Sequence, residues 1–271
     1  MNKPHEIKCL NCGEMASGKY CWNCGQKTHT GKLHIREILL EFFLSPFHIE
    51  NHGLFWTFWW LFSKPGEVVR RYVHGERKLL YPAFRYLVLG GTIATIIAAK
   101  YEIFHDLIKE EPVERSEPVL GFLEPLTQLF NSFFDFIDPE FFVYVNDNLT
   151  IVNLFAIPVF AVFTFLFFKP RGYNYAENLT LQAYITSQQL WTLIVIFPFL
   201  QFFPAARDSI IPIYSVFTTL YSFYVVMNFF RMRTFLGLVL VLLSFLYSYL
   251  VQFSLTYGIY QLFGHSLSLG H

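Results

Sequence analysis

The sequence predicts an all-α, multi-pass helical membrane protein carrying a small N-terminal zinc ribbon with four cysteine ligands. Three observations lead there. The four cysteines of the chain all fall early, as Cys9-x2-Cys12-x8-Cys21-x2-Cys24. Hydrophobic residues then dominate, at 54% of 271 with 33 Phe, while charged residues make up 15% against roughly 25% in soluble domains. The basic residues are also unevenly spread. Residues 1–85 hold 12 of the 20, whereas 100–149 hold three against 11 acidic ones.

The ribbon is expected over residues 1–28. Two Cys-x-x-Cys knuckles can bring Cys9, Cys12, Cys21 and Cys24 into the tetrahedral shell that Zn2+ prefers. Gly13 and Gly25 follow the second cysteine of each pair, where the chain folds back under the metal and a Cβ would clash. The eight intervening residues suit a short hairpin. A redox dithiol pair and an iron site are the alternatives, but four thiolates without an open fifth position favour a closed, structural Zn2+ site.

Residues 33–83 read as amphipathic and aromatic interfacial helices. His34–Leu44 places apolar residues at 35, 38, 39, 42 and 43, opposite Arg36, Glu37 and Glu41. The Trp- and Phe-rich segment 54–62 is too short to span and suits the headgroup zone. Ser63-Lys64-Pro65-Gly66-Glu67 reads as a helix start with Ser63 as N-cap, and Gly75 as its stop. Arg70, Arg71, Arg77, Lys78 and Arg85 would sit near anionic lipid headgroups, or simply act as positive-inside determinants.

A bundle is expected over 84–263, with about five spans at 84–99, 151–168, 181–203, 210–230 and 235–262. Gly90, Ala94 and Ala98 give the first a small-residue face. The acidic loop 100–149 would lie outside, with a polar stretch at 109–118 and helical spacing at 119–137. The polar start does not read as a signal peptide. The distribution of Lys and Arg sets N-in/C-out in a cytoplasmic (inner) membrane, and puts the cysteines in a reducing compartment.

Within the third span, Gln188, Gln189 and Thr192, with Thr186 and Ser187, form a polar patch that could face Tyr184, Thr218, Thr219 and Ser222. Such side chains glue helices together or line a pathway. His48, Glu50 and His52, with His74 nearby, lack metalloprotease spacing. No nucleophile, phosphate-loop or dinucleotide motif is present. The scattered lysines of the ribbon make a weak nucleic-acid patch.

The run Cys9-Leu-Asn-Cys-Gly, Tyr20-Cys-Trp-Asn-Cys-Gly-Gln26, Lys64-Pro-Gly-Glu-Val-Val-Arg-Arg-Tyr-Val-His-Gly-Glu-Arg-Lys78 and Tyr81-Pro-Ala-Phe-Arg-Tyr86 resembles a bacterial domain-of-unknown-function family. These are membrane proteins with an N-terminal zinc ribbon, and the likeness covers about residues 9–90. It implies the topology and the zinc site, and no activity. A five-span N-in/C-out layout is also similar, at fold level, to Yip-type membrane proteins.

The expected function is a non-enzymatic scaffold or adaptor. Its ribbon would recognise a protein partner and its bundle would contact the lipid bilayer, with oligomerisation left open. A lipid or small-solute transporter lined by the Gln188/Gln189 patch is the alternative, and a membrane-embedded hydrolase or transferase the third.

Overall fold

The computed structural model describes residues 6–44, 53–100, 141, 144, 149–202 and 207–264. The expected sites at His48, Glu50 and His52, and nearly all of the acidic loop 100–149, lie outside them. The described chain is mostly helical. A two-stranded sheet pairs β1 (Ile7–Lys8) with β2 (Met15–Ala16), antiparallel, in the register Ile7 to Ala16 and Lys8 to Met15. Helices α1 (Ile35–Leu44), α2 (Leu54–Ser63), α3 (Pro65–Val73) and α4 (Ala83–Lys100) follow. After α5 (Leu149–Phe167) and a 3-10 turn at Lys169–Arg171 come α6 (Tyr175–Phe202), α7 (Arg207–Phe229) and α8 (Phe235–Ile259), which runs on as a π turn, Tyr260–Gly264.

The chain forms two compact units. The first comprises Met1–Ala94 and Ile157–Tyr249, and its core lies around α3. At nine residues α3 is too short to be helical by propensity alone, so packing must hold it. Val68, Val69, Tyr72 and Val73 are buried on one face, and the helix packs against α7, α2 and α6. The Tyr72 ring meets Tyr184 of α6 edge-on, with centroids 5.4 Å apart. Gly66 allows the closest approach: a Cβ there would lie 2.5–2.6 Å from Asn228 and the backbone of Phe229. In the second unit, Thr95–Ala156 with Leu250–His271, Phe141 packs against the rings of Phe253, Tyr257 and Tyr260.

Two sequence expectations need correcting. Ser63 is the last residue of α2, and its hydroxyl turns back to the carbonyl of Trp60; Lys64 occupies the N-cap position of α3 without a side-chain bond. Pro65 sets the helix start instead, because its fixed φ suits the first turn. The hairpin expected between the two knuckles is not there either. Each knuckle closes its own hairpin: β1 and β2 flank the first, and a Tyr20–Lys27 bridge flanks the second.

All five expected spans are helices, with ends near those expected except for α6, which starts at Tyr175. A reciprocal capping box explains that early start. The Asn174 side chain accepts the Glu177 N–H at 2.9 Å, and the Glu177 carboxylate accepts the Asn174 N–H at 2.8 Å. Among the described residues one stretch, Phe235–Leu262, is long and apolar enough to cross a membrane, with a mean hydropathy of 2.0. The stretches Ala83–Ile97, Leu154–Phe167 and Val216–Phe229 are apolar but shorter.

Replacing Gly66 with Ala should destabilise the chain by about 1–3 kcal/mol, because the Cβ meets backbone that cannot rotate away. Gly31→Ala, at a site with nothing within 4 Å, should be close to neutral. Melting temperatures of the two purified variants against wild type would decide; equal melting points would contradict the close α3–α7 crossing.

Candidate metal centre

Each knuckle is built by the same backbone turn. The Gly13 N–H donates to the Cys9 carbonyl at 2.9 Å, and the Gly25 N–H to the Cys21 carbonyl at 2.8 Å. The Cys9 N–H donates to Glu14 at 2.8 Å, and the Cys21 N–H to Gln26 at 2.7 Å. Both glycines take positive φ, +82° and +71°, which a side chain would strain. Two cysteines of each pair thereby face the same point.

The four Sγ atoms lie within 4.8 Å of one another. Cys9 to Cys24 is 3.6 Å and Cys12 to Cys21 is 3.5 Å. A disulfide would need about 2.05 Å. A tetrahedral ion at about 2.3 Å from each sulfur requires edges of about 3.8 Å. The cluster is therefore shaped to hold a metal ion, with Cys9 and Cys21 buried and Cys12 and Cys24 more accessible.

Proton chemistry agrees. The Cys12 backbone N–H is the largest influence holding Cys9 down to about 7, against the opposing effect of burial. Cys12 receives a lowering hydrogen bond from the Glu14 backbone, yet burial and the neighbouring sulfurs Cys21, Cys24 and Cys9 push it up to about 11. Four sulfurs this close resist becoming anions together until a cation joins them. Lysine stems run past both knuckles: a Cβ on Gly13 would lie 3.8 Å from Lys8 Cε, and one on Gly25 3.8 Å from Lys78 Cε.

The ribbon is locked to the turn after α3 by Gln26, which is buried. Its amide donates to the Gly75 carbonyl at 2.8 Å, and its oxygen accepts the N–H groups of Arg77 at 2.9 Å and Lys78 at 3.1 Å. Gly75 has φ +104°, and a Cβ there would lie 2.6 Å from Leu10 of the first knuckle. Arg77 spans the joint, donating to the Gly31 carbonyl at 2.8 Å and lying over the Tyr72 ring at 5.6 Å.

The other sequence-selected residues are spread through the first unit. Arg70 donates to the carbonyls of Asn228 and Phe229, closing the C-terminus of α7. Burial lowers its pKa, and repulsion from Arg231 adds to this. Arg71 pairs with Glu76 at 2.6 Å and lies over Trp60 at 5.9 Å. Arg85 is half-buried in the first turn of α4.

Gln188 and Gln189 diverge. Gln188 is buried, accepts the Tyr86 hydroxyl at 2.9 Å and donates to the Phe58 carbonyl at 3.2 Å. Gln189 donates to Ser222 Oγ at 2.9 Å and to the Thr218 carbonyl at 3.2 Å. Thr192 bonds the Gln188 carbonyl of its own helix at 2.7 Å. Sequence reasoning missed Gln26, Lys8 and Tyr86. Only the position of Gln26, directly behind a knuckle glycine, hinted at a structural task.

The family described as Protein of unknown function (DUF3667) matches residues 51–95, which cover α2, α3 and most of α4 but not the cysteines. No curated protein and no solved structure matches the chain.

Elemental analysis of the purified chain should find one divalent ion per molecule, and a Cys21→Ser/Cys24→Ser variant should have none. More than trace metal in that variant would refute a four-sulfur centre. Gln26→Ala should keep the ion yet speed amide exchange across residues 6–32 and 74–78, because it takes the partner from the buried Gly75 carbonyl and from the part-buried N–H groups of Arg77 and Lys78, at a cost of about 1–3 kcal/mol. Unchanged exchange would remove the lock.

Proposed function

We infer that this chain is a non-enzymatic membrane scaffold, whose Zn2+-loaded ribbon presents a protein-recognition surface in the cytosol. The observation that carries this reading is the rigid mounting of the ribbon. Gln26, Gly75 and Arg77 fix it to the body of the first unit, while Met15, Tyr20 and Trp22 stay exposed; Trp22 is 75% exposed although its indole N–H is tied to the Met15 carbonyl. An aromatic group kept in solvent on an immobilised module loses little freedom on binding, and such residues often anchor interfaces.

The five-span, N-in/C-out arrangement in the cytoplasmic membrane belongs to this reading. It is supported by broad apolar faces left open on several helices. Leu154, Phe155, Val162 and Leu166 of α5, Ile213, Val216 and Leu220 of α7, and Leu242, Leu246 and Leu250 of α8 are all exposed. Such faces suit lipid and not water. On α2, Thr57 and Leu61 are buried whereas Phe55, Trp56 and Trp59 are exposed, which suits a helix lying in the interface.

Zn2+ is the metal favoured by four thiolates in a closed tetrahedral shell. The transporter alternative draws no support from Gln188 and Gln189, whose side chains are spent on neighbouring helices. The hydrolase alternative rests on His48, Glu50 and His52, which lie outside the described residues.

Crosslinking and capture from native membranes would test the scaffold reading with three forms: wild type, Trp22→Ala and Cys21→Ser/Cys24→Ser. Trp22→Ala should keep its metal and lose a specific partner, and the cysteine variant should lose that partner too. An unchanged set of partners in both variants would overturn the recognition role and leave the ribbon as a folding staple.

A further inference from the structure

A cavity of about 370 Å³ opens beside the ribbon mount, between the ribbon linker, the end of α3, the 3-10 turn and the start of α6. Its walls carry Thr30, Lys32, His74, Arg171, Tyr173 and Glu177. Among these, only His74 falls in a candidate constellation of the sequence, beside His48, Glu50 and His52. The size falls at the lower end of small-molecule sites.

Charge defines the cavity. Lys32 and Arg171 come from segments 139 positions apart, yet both line it, and among the described residues neither makes an ion pair. His74 holds its Nδ1 at 2.7 Å from the Arg70 carbonyl; a carbonyl only accepts, so Nδ1 is the donor and Nε2 is left for another partner. Behind Tyr173 stand Arg70 and Arg231, whose positive charges oppose the rise that burial causes in the Tyr173 pKa. The opposing carboxylate is Glu177, which is buried and occupied with capping α6 through Asn174. Glu67 acts on Arg70 from farther along α3. Cations outnumber anions around an open, hydroxyl-lined space.

We propose that this cavity binds a phosphate group, carried either by an anionic phospholipid headgroup or by a free phosphate compound. A phosphate offers several acceptor oxygens and up to two charges, which suits donors converging from separate elements. One Arg171 amino group already donates to Met232 Sδ at 2.7 Å, and the remaining N–H groups of the guanidinium can engage a phosphate oxygen; Lys32 supplies a mobile point charge, and the Thr30 and Tyr173 hydroxyls supply neutral donors. An occupant would bridge the ribbon linker to the start of α6. The site stands apart from the scaffold reading, since it needs neither the Trp22 surface nor a partner protein.

The full chain, loaded with its metal, would be tested with two probes. Inorganic phosphate would be titrated in detergent by equilibrium dialysis. Phosphatidic acid would be titrated into phosphatidylcholine nanodiscs. Wild type should bind at least one probe saturably; saturation by inorganic phosphate assigns a free compound, and saturation by phosphatidic acid alone assigns a headgroup. Lys32→Ala/Arg171→Ala should weaken that binding by about 100-fold. Lys169→Ala/Arg233→Ala removes equal charge from exposed neighbouring positions and should stay within about 2-fold, because scattered surface charges are screened. Each variant's metal content and melting point would show that it folds, and Lys32→Gln, at an exposed position, reads the site should the double variant unfold. Absence of saturable binding to either probe, or an equal loss in the Lys169/Arg233 control, would overturn the proposal.

Discussion

The burial of α3 is the constraint on which the first unit depends. A nine-residue helix gains too few backbone bonds to offset its own nucleation, so it exists only because its surroundings enclose it. Its apolar face packs on α2, α6 and α7; Gly66 lets α7 approach to backbone contact; and Arg70 reaches the last carbonyls of α7, which the helix itself cannot satisfy. The turn that ends α3 receives the ribbon. Metal centre, cationic cavity and helical body thus meet on one short element. The match to residues 51–95 covers α3 with its immediate supports, α2 and the larger part of α4.

The polar side chains of the body serve this packing. Tyr86, Tyr184 and Tyr221 send their hydroxyls to Gln188, to the Tyr81 carbonyl and to the Leu61 carbonyl, so two helices, α6 and α7, are fixed to the α2–α4 segment by three directional bonds. Thr57 takes the Tyr81 N–H at 2.8 Å. In a low-dielectric interior each such group would be costly if unpaired, so the pairs specify one arrangement of otherwise similar apolar helices. The stacking of Trp191 on Tyr86, at 5.5 Å and 13°, adds a shape requirement that Gly90 meets: a Cβ there would come within 2.8 Å of the indole. The small residue in α4 accommodates a tryptophan.

Much of this was legible in advance, for identifiable reasons. Cysteine spacing dictates the knuckles because only a tight turn joins two sulfurs to one ion, and the helices announce themselves by long apolar runs and by Pro65 and Gly75. The burial of Val68, Val69, Tyr72 and Val73 follows from their spacing. Long-range partnerships were not legible. Nothing local to Arg70 tells that it ends a helix about 160 positions away, nor does Gln26 name Gly75, Arg77 and Lys78 as its partners. Grouping Arg70, Arg71, Arg77, Lys78 and Arg85 as one basic cluster makes them equivalent, whereas the fold sends the first four to α7, Glu76, the ribbon linker and the second knuckle and places Arg85, half-buried, in the first turn of α4. Cavity residues were invisible for the same reason, since Lys32 and Arg171 acquire a joint meaning only once α3 and α6 are packed.

The metal centre is mechanically continuous with the helical body. The second knuckle positions Gln26 two residues beyond Cys24; Gln26 holds the backbone of Gly75, Arg77 and Lys78; Arg77 lies on Tyr72; and Tyr72 meets Tyr184 in the N-terminal half of α6. Without a cation the tetrahedral restraint that the four clustered sulfurs place on both turns is gone. Binding energy of the ion is then folding energy of the ribbon, and part of it reaches the turn after α3 through the Gln26 bonds. Thr30 belongs to both regions: its hydroxyl accepts from Gln26 at 3.3 Å while it lines the cationic cavity. By linkage, if the ion orders the ribbon and the proposed anion orders Thr30 and Lys32, each favours the other's binding, because each reduces the disorder that the other would otherwise have to remove.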